Sequence, residues 1–341
     1  MRVVLLGTEF GMTGAGLLLF RWAAHLRRRG HDVVAVHDPK MAGPLREAYL
    51  AQGVTLAERF DVDHNMLVIC NTVMAARYVL QTARAARTVW WLHEGEVGLP
   101  LLIKNPGAEQ AFGAAHAVIF PSAAIRDRVY RSYLLGVPEA RLHVVPPGLD
   151  PLDPAEVEAA APPQDRPIRL ISVGSIYPRK RQADLIQAVS RLSDLRIECL
   201  LVGAVVLLEA DAAALAKAAP GRFAFTGQIA HAEALRLIGR SDIFSLPSSS
   251  ECLPIAPLEA GQRGKAVLLS DLPAHEGVWR HGVNCLMHPP GDVDLLTHLL
   301  RVLATDAALR TRLGAVARRT AAGFRNDLFL ARLDMVLASL G

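Results

Sequence analysis

Twice along the 341-residue chain an apolar run of five or six residues stops at a glycine, and a loop and a helical pattern follow before the next apolar run. The first such run is Arg2–Leu6, closed by Gly7; the second is Ile168–Val173, closed by Gly174. After the first, Leu18, Leu19, Trp22, Ala23 and Leu26 recur at three-to-four spacing as far as Gly30, and the run Asp32–Val36 starts at once. Runs this short are strands, and a three-to-four period is one face of a helix. Strand, loop, helix, strand is a doubly wound α/β unit with a parallel sheet. Further runs, HNMLVIC, TVWWLHEG, AVIFPS and HVVPPGLD in the first half and ECLLVGA, FAFTGQIA, SDIFSL and AVLLS in the second, continue the alternation. A helix is expected over SAAIRDRVYRSYLL, and the final helices, from Val293 to Leu340, carry Leu296, Leu299, Leu300 and Leu303 in register.

The length suits two domains of roughly 150 residues. Residues 151–167, with five prolines, read as the linker, and the boundary is placed between Pro147 and Arg166. The net charge of +4 hides a near balance of 37 basic and 33 acidic residues, which argues against a nucleic-acid surface. Arg27, Arg28 and Arg29 are the one dense basic cluster, at the expected C-terminal turn of a helix where cations meet the dipole favourably. The four cysteines, Cys70, Cys199, Cys252 and Cys285, are scattered, so neither a zinc site nor a disulfide framework is expected. Glu9 follows too short an apolar run for a signal-peptide core, and no stretch reaches the ~18 apolar residues of a membrane span. The expected location is the cytoplasm, with peripheral contact at the inner membrane face as the one membrane association left open.

The most informative stretch for chemistry is Pro247–Asp271, PSSSECLPIAPLEAGQRGKAVLLSD. Glu251 sits in a serine-rich loop after a buried strand, and Glu259 lies eight residues on, about one turn inside a helix that starts near Ile255 and ends at Gly264. The free N–H groups and positive dipole end of that helix favour an anion in front of it. Two carboxylates beside an anion make sense if they accept hydrogen bonds from hydroxyls, and a nucleotide sugar carries hydroxyls at both ends of its diphosphate. The plainer alternative is that both are dipole partners of the helix, worth roughly 0.3–1 kcal/mol each.

The stretch resembles the E-x7-E signature of the retaining glycosyltransferases of family 4, the large group 1 set with the GT-B fold. The resemblance implies two doubly wound Rossmann-like domains facing a central cleft, with an acceptor-binding domain at 1–150, a donor-binding domain at 167–320, and a C-terminal helix, 321–341, packing back across the cleft. It implies that Glu251 holds hydroxyls of the donor sugar and Glu259 the ribose, with Cys252, Leu253, Ile255 and Ala256 alongside. The family's glycine-aromatic-glycine after the first Glu is here Cys252, Leu253 and Pro254, a departure that removes one backbone N–H. The family also places an Arg just after the glycine that closes its first donor-domain strand and a Lys five residues later, both on the diphosphate. Here Gly174 and Lys180 match, but Ser175 stands at the Arg position, so Arg179 or Arg181 is the expected substitute. Gly203, and Gln228 with Ile229 after the Phe-x-Gly turn, complete the donor set. In the first domain Gly14, Ala15 and Gly16 are expected to approach the diphosphate by their backbone, and His93, at the end of a strand, to point at the donor sugar.

The reaction the resemblance implies is transfer of a sugar from a UDP- or GDP-sugar, with no cofactor, to a glycan, lipid-linked or small-molecule acceptor, in the making of a cell-surface polysaccharide, glycolipid or other glycoconjugate. Lys180, helped by Arg179 or Arg181 and the helix dipole, would supply the roughly two positive charges that a departing diphosphate needs, so a metal is not required. The resemblance also implies retention by front-face attack, in which the leaving phosphate takes the acceptor's proton and neither glutamate is a nucleophile. Two other readings stay open. One is an NAD-type oxidoreductase, although Gly11, Gly14 and Gly16 are spaced G-x-x-G-x-G, unlike the dinucleotide pattern, and Asp38 ends the second strand. The other is a catalytically silent GT-B binding protein, which Ser175 and Pro254 allow.

Overall fold

The structure, a computed structural model, describes residues 1–105, 107–152 and 166–341. Most of the expected linker, residues 153–165, lies outside the described residues. The chain divides into two compact units, Met1–Gly148 with Asn326–Gly341, and Leu149–Arg325.

In the first unit the elements are β1 (Arg2–Leu6), α1 (Gly14–Arg28), β2 (Asp32–Val36), α2 (Leu45–Ala51), β3 (Thr55–Ala57), β4 (Leu67–Asn71), α3 (Ala76–Thr82), β5 (Arg87–Trp91), α4 (Gly98–Ile103), α5 (Ala108–Ala114), β6 (Ala117–Phe120) and β7 (Leu142–Val144). The strands form one parallel sheet in the order β3-β2-β1-β4-β5-β6-β7. Val4 of β1 lies between Val34 and Val68 of its neighbours. Strands β4 and β6 are buried along their whole length, as a parallel sheet covered on both faces requires. Adjacent residues of a strand point to opposite faces, so Trp90 and Trp91 anchor both helical layers. Trp91 meets Trp22 of α1 edge-on at 5.2 Å, while Trp90 lies 4.6 Å from Phe112 of α5.

The second unit runs β8 (Ile168–Val173), α6 (Gln182–Ser190), β9 (Ile197–Val202), α7 (Ala210–Ala218), β10 (Phe223–Phe225), α8 (His231–Gly239), β11 (Ile243–Leu246), α9 (Ile255–Gln262), β12 (Ala266–Ser270), β13 (Leu286–His288), α10 (Val293–Thr305) and α11 (Ala307–Ala321). Its parallel sheet has the order β10-β9-β8-β11-β12-β13. One face packs on α6 and α10 through Leu185, Ile186, Leu296 and Leu300, the other on α8, α9 and α11 through Ile238, Leu258 and Ala317. Both sheets reverse their winding once, between β1 and β4 and between β8 and β11. At such switch points the loops leaving the carboxyl ends diverge and open a crevice.

The last helix, α12 (Asn326–Ala338), groups with the first unit. Its Phe329 lies 6.0 Å from Trp91, and its Asp334 bonds His25 Nε2 at 3.0 Å and Arg29 Nη1 at 3.1 Å. The expected 321–341 segment is thus divided, with 321–325 belonging to the second unit. The basic cluster does lie at the end of α1, where Arg27 also donates to the His31 carbonyl. Among the described residues no helix is long and apolar enough to cross a membrane.

One expected helix is irregular and broken in two. Residues 122–135 form a wide five-residue turn, Ile125–Val129, and then a single tight turn, Arg131–Leu134. The break falls at Tyr130, whose buried ring lies between Phe112 and Phe120, both at 5.8 Å, and whose hydroxyl donates to the Glu94 carbonyl at 3.0 Å. Placing that side chain inward overrides the helical pattern.

Gly203 tests the second unit's architecture. It closes β9 at φ +139°, and a Cβ there would lie 2.3 Å from the Gly174 carbonyl oxygen. Gly203→Ala should therefore destabilise the fold by about 3 kcal/mol, combining overlap with backbone strain. Gly113→Ala, in helix α5 with nothing within 4 Å, should stabilise by about 0.5–1 kcal/mol. Urea denaturation of both variants checks the pair, and equal stabilities would refute it.

Candidate functional site

In the second unit the site residues gather at the switch point. Strand β8 is followed by Gly174 at φ +142°, and a Cβ there would meet Lys180 Cε at 3.8 Å. Gly203 packs on Gly174 and its N–H donates to the Gly227 carbonyl at 3.1 Å, so three strand ends come together through backbone alone. Beyond Gly174 the chain makes a single turn, Pro178–Lys180, and enters α6 through Arg181 at φ +52°. Gln182 holds this turn by donating to the Ser175 carbonyl at 3.0 Å. The loop after β11 is stitched to it. Ser249 N–H and its hydroxyl both donate to the Arg179 carbonyl, at 2.8 and 3.1 Å, and Arg179 Nη1 donates to the Ser250 carbonyl at 2.5 Å.

That stitching brings Glu251 onto the cations. Lys180 Nζ and Ser248 Oγ both donate to Glu251 Oε1 at 2.6 Å, and Arg179 Nη1 lies 3.8 Å from Oε2. Arg179 is itself braced by Tyr177, whose hydroxyl it bonds and whose ring it covers at 5.2 Å. Burial pushes the Glu251 carboxyl up, but the Lys180 charge and hydrogen bond, the Ser248 hydroxyl and Arg179 outweigh it and hold the group below its usual value. Arg181 takes a different partner, Asp184, at 2.6 and 3.2 Å. Of the two expected substitutes for the missing Arg at Ser175, the structure brings Arg179 to Glu251 and turns Arg181 to the start of α6.

Helix α9 begins after Pro254, whose N-cap position supplies no side-chain hydrogen bond, and its positive end follows the Glu251 loop. Leu253 is buried, while Cys252, Ile255 and Ala256 are half-buried. Glu259, in the second turn, is buried and meets His231 Nε2 at 2.7 Å from its Oε1. His231 opens α8, just past Gln228, which is exposed, and Ile229, which is half-buried against the core. Sequence reasoning did not single out His231; a histidine opening a helix gives no local sign of where its ring will reach.

The first unit carries a second polar group at its own switch point. Gly7 closes β1 at φ +75°, and a Cβ there would sit 2.5 Å from the Asn71 carbonyl oxygen at the end of β4. His93, after β5, bonds Asn71 Oδ1 through Nε2 at 2.7 Å and lies 4.5 Å from the Trp91 ring. Burial pushes its imidazole down to about 3, so it is neutral. Beside it stands Glu94, which was not expected. Its Oε2 accepts from the N–H groups of His93 at 3.0 Å and Val73 at 3.1 Å, and burial, outweighing those bonds, pushes its carboxyl up to about 7. Between Asn71 and Val73, Thr72 holds φ +69°, a strained geometry for a branched residue. The glycine loop has a local explanation as well. Thr13 caps α1 by accepting from Gly16 N–H at 3.0 Å, and a Cβ on Gly16 would meet the Gly11 carbonyl oxygen at 2.8 Å. Gly14 is exposed with nothing within 4 Å, and Ala15 is half-buried.

Two D-x-D sequences also occur, and local structure employs the second of them. Asp292 caps α10 by accepting from Leu295 N–H at 2.8 Å, and Asp294 pairs with Arg191. In the first, Asp63 accepts from Asn65 N–H at 2.9 Å.

The Glu94 carboxyl goes from an ordinary 4.5 in the unfolded chain to about 7 in the folded one. The unfolded state therefore releases that proton first, and its contribution to stability declines as pH rises from 4.5 to 7 and is flat outside that window. Glu94→Gln keeps an oxygen for both N–H donors and should gain on the natural protein across that window by about 3 kcal/mol. The His93 contribution runs the other way in both proteins and cancels in the difference. Urea titrations across pH 4–8 read it, and a difference independent of pH would refute it.

The pattern of the family described as Glycosyl transferases group 1 matches residues 155–320, and that of Glycosyl-transferase family 4 matches residues 1–102. No curated protein matches the sequence. Among solved structures, HepE of Anabaena in complex with UDP and glucose is similar at TM-score 0.80 and 18% identity, over 99% of this chain and 100% of that one. The lipopolysaccharide outer core galactosyltransferase WaaB, in its apo form, is similar at TM-score 0.75 and 16% identity, over 99% of each chain. A sucrose-phosphate synthase from Thermosynechococcus elongatus is similar at TM-score 0.75 and 18% identity, over 100% of this chain and 99% of that one.

Proposed function

As the chain belongs to the family 4, or group 1, glycosyltransferases of GT-B fold, we propose that it moves a sugar from a UDP- or GDP-sugar to a hydroxyl acceptor with retention of anomeric configuration. The observation that carries this reading is the pairing of Lys180 and Arg179 with Glu251 at the second switch point. In the free protein the carboxylate occupies the ammonium that a diphosphate needs. On donor binding Lys180 turns part of its hydrogen bonding to the phosphates, and Glu251 exchanges that share for hydroxyls of the transferred sugar. The uncapped start of α9 adds its dipole to the same anion. As the sugar–phosphate bond breaks, charge grows on the departing diphosphate, and these groups stabilise it more in the transition state than in the ground state. The leaving phosphate oxygen takes the acceptor's proton, so Glu251, held in its ion pair, acts by binding and not as a nucleophile. HepE binds UDP, which puts UDP and its sugars first among the donors to test.

Acceptor and setting follow from chemistry more loosely. The first unit's group presents a neutral imidazole and a carboxyl near neutrality, which suits hydroxyls better than phosphates. We take a glycan or another polyol as the acceptor, whether free, lipid-linked or small.

Lys180→Ala should lower kcat by about a hundredfold to a thousandfold while the protein still melts cooperatively, since Arg179 and Ser248 continue to hold Glu251. Turnover within threefold of the natural protein would remove Lys180 from the diphosphate. Proton NMR of the first product formed reads the anomeric outcome, and an inverted linkage would overturn front-face attack. Donor binding without any turnover across acceptors would favour the silent binding protein.

A further inference from the structure

We propose that His231 is a positioning residue that makes the donor site read the ribose diol: it pins one oxygen of Glu259 and leaves the other to accept the ribose hydroxyls. This rests on the assignment of Glu259 to the donor's ribose and adds to it a residue which that assignment does not contain.

Glu259 is 6% exposed, and among the described residues the one hydrogen bond to its carboxylate comes from His231 Nε2, at 2.7 Å from Oε1. A carboxylate offers about four acceptor positions, and burial makes unused ones costly. Glu251, equally buried, shows what full provision looks like in this unit: an ammonium, a hydroxyl and a guanidinium surround it. Among the described residues no protein donor reaches Glu259 Oε2, which leaves that oxygen open to donors from outside the fold. A ribose supplies two adjacent hydroxyls, which donate in parallel to one carboxylate.

Among the described residues His231 makes no other side-chain hydrogen bond. It does not cap its helix, whose N-cap position is Ala230, and its side chain keeps 30% exposure. It reaches across from α8 to α9, so its single bond fixes the carboxylate's rotation. An imidazole suits this task. It gives one directed N–H without the second and third donors of an ammonium, which would fill the positions the sugar needs. Without His231 the carboxylate would turn towards solvent, and the two hydroxyls would lose their common acceptor.

A site built around hydroxyls rejects an analogue that lacks one, because its own polar group is then left without a partner. The experiment takes UDP or GDP, whichever raises the melting temperature of the whole chain, together with its 2′-deoxy counterpart, and measures both dissociation constants by calorimetry. The natural protein should prefer the ribonucleotide by about tenfold. His231→Phe should weaken the ribonucleotide by about that factor, leave the deoxynucleotide within twofold, and raise KM for the sugar donor with little change in kcat. His231→Gln, whose amide can still donate, should restore most of the preference. Equal weakening of both nucleotides in His231→Phe, or no change in either, overturns the proposal. Glu259→Gln separates the two levels. If it abolishes the preference and His231→Phe does not, the His231 role alone falls. If it leaves the preference intact, the ribose assignment of Glu259 falls with it, and if neither nucleotide binds, so does the donor site.

Discussion

A buried carboxylate in contact with an ammonium is the interaction around which the second unit's switch point is built. Taking Glu251 out of water costs several kcal/mol, and Lys180, Ser248 and Arg179 offset that cost only because two loops far apart in sequence are stitched together. The stitching depends in turn on glycines. Gly174 and Gly203 let the ends of β8 and β9 meet backbone to backbone, which sets where the turn carrying Arg179 and Lys180 begins. The same contacts that hold the loops also hold the cations ready. On the proposed reading a diphosphate would meet charges already in place and spend little on reorganisation.

The two units use one topology for two electrostatic ends. Each places its polar group where the sheet winding reverses, because loops leaving neighbouring strands diverge there. In the second unit the group is ionic. In the first it is close to neutral: burial has pushed the His93 imidazole down and the Glu94 carboxyl up. Strain at Thr72 lies between the residues that bond these two groups, and the fold around it, with Trp90 donating to the Thr72 carbonyl at 2.8 Å, keeps it in place.

Much of this was legible in the chain because it depended on local pattern. The alternation of short apolar runs with three-to-four spaced helices led to doubly wound sheets, and the eight-residue interval between Glu251 and Glu259 marked a loop and the helix after it, where the structure places both carboxylates. Short elements were not legible: α2, β3, α4 and α5 are too brief to show a period, and the broken stretch around Tyr130 follows a tertiary demand for a buried ring. The choice between Arg179 and Arg181 was also beyond the sequence. Neighbouring positions looked equivalent until the left-handed turn at Arg181 sent one side chain to Glu251 and the next but one to Asp184.

What the amino-acid sequence determined by itself was the kind of fold and the residue types at its strand ends, since hydrophobic period and glycine placement act over a few neighbouring residues. Only the tertiary structure decided which of those residues touch. Lys180 and Glu251 are 71 positions apart, and His231 and Glu259 are 28 apart. Their partnerships arise from parallel strands delivering distant loops to one edge, where direction and burial, which no local pattern encodes, select the contact.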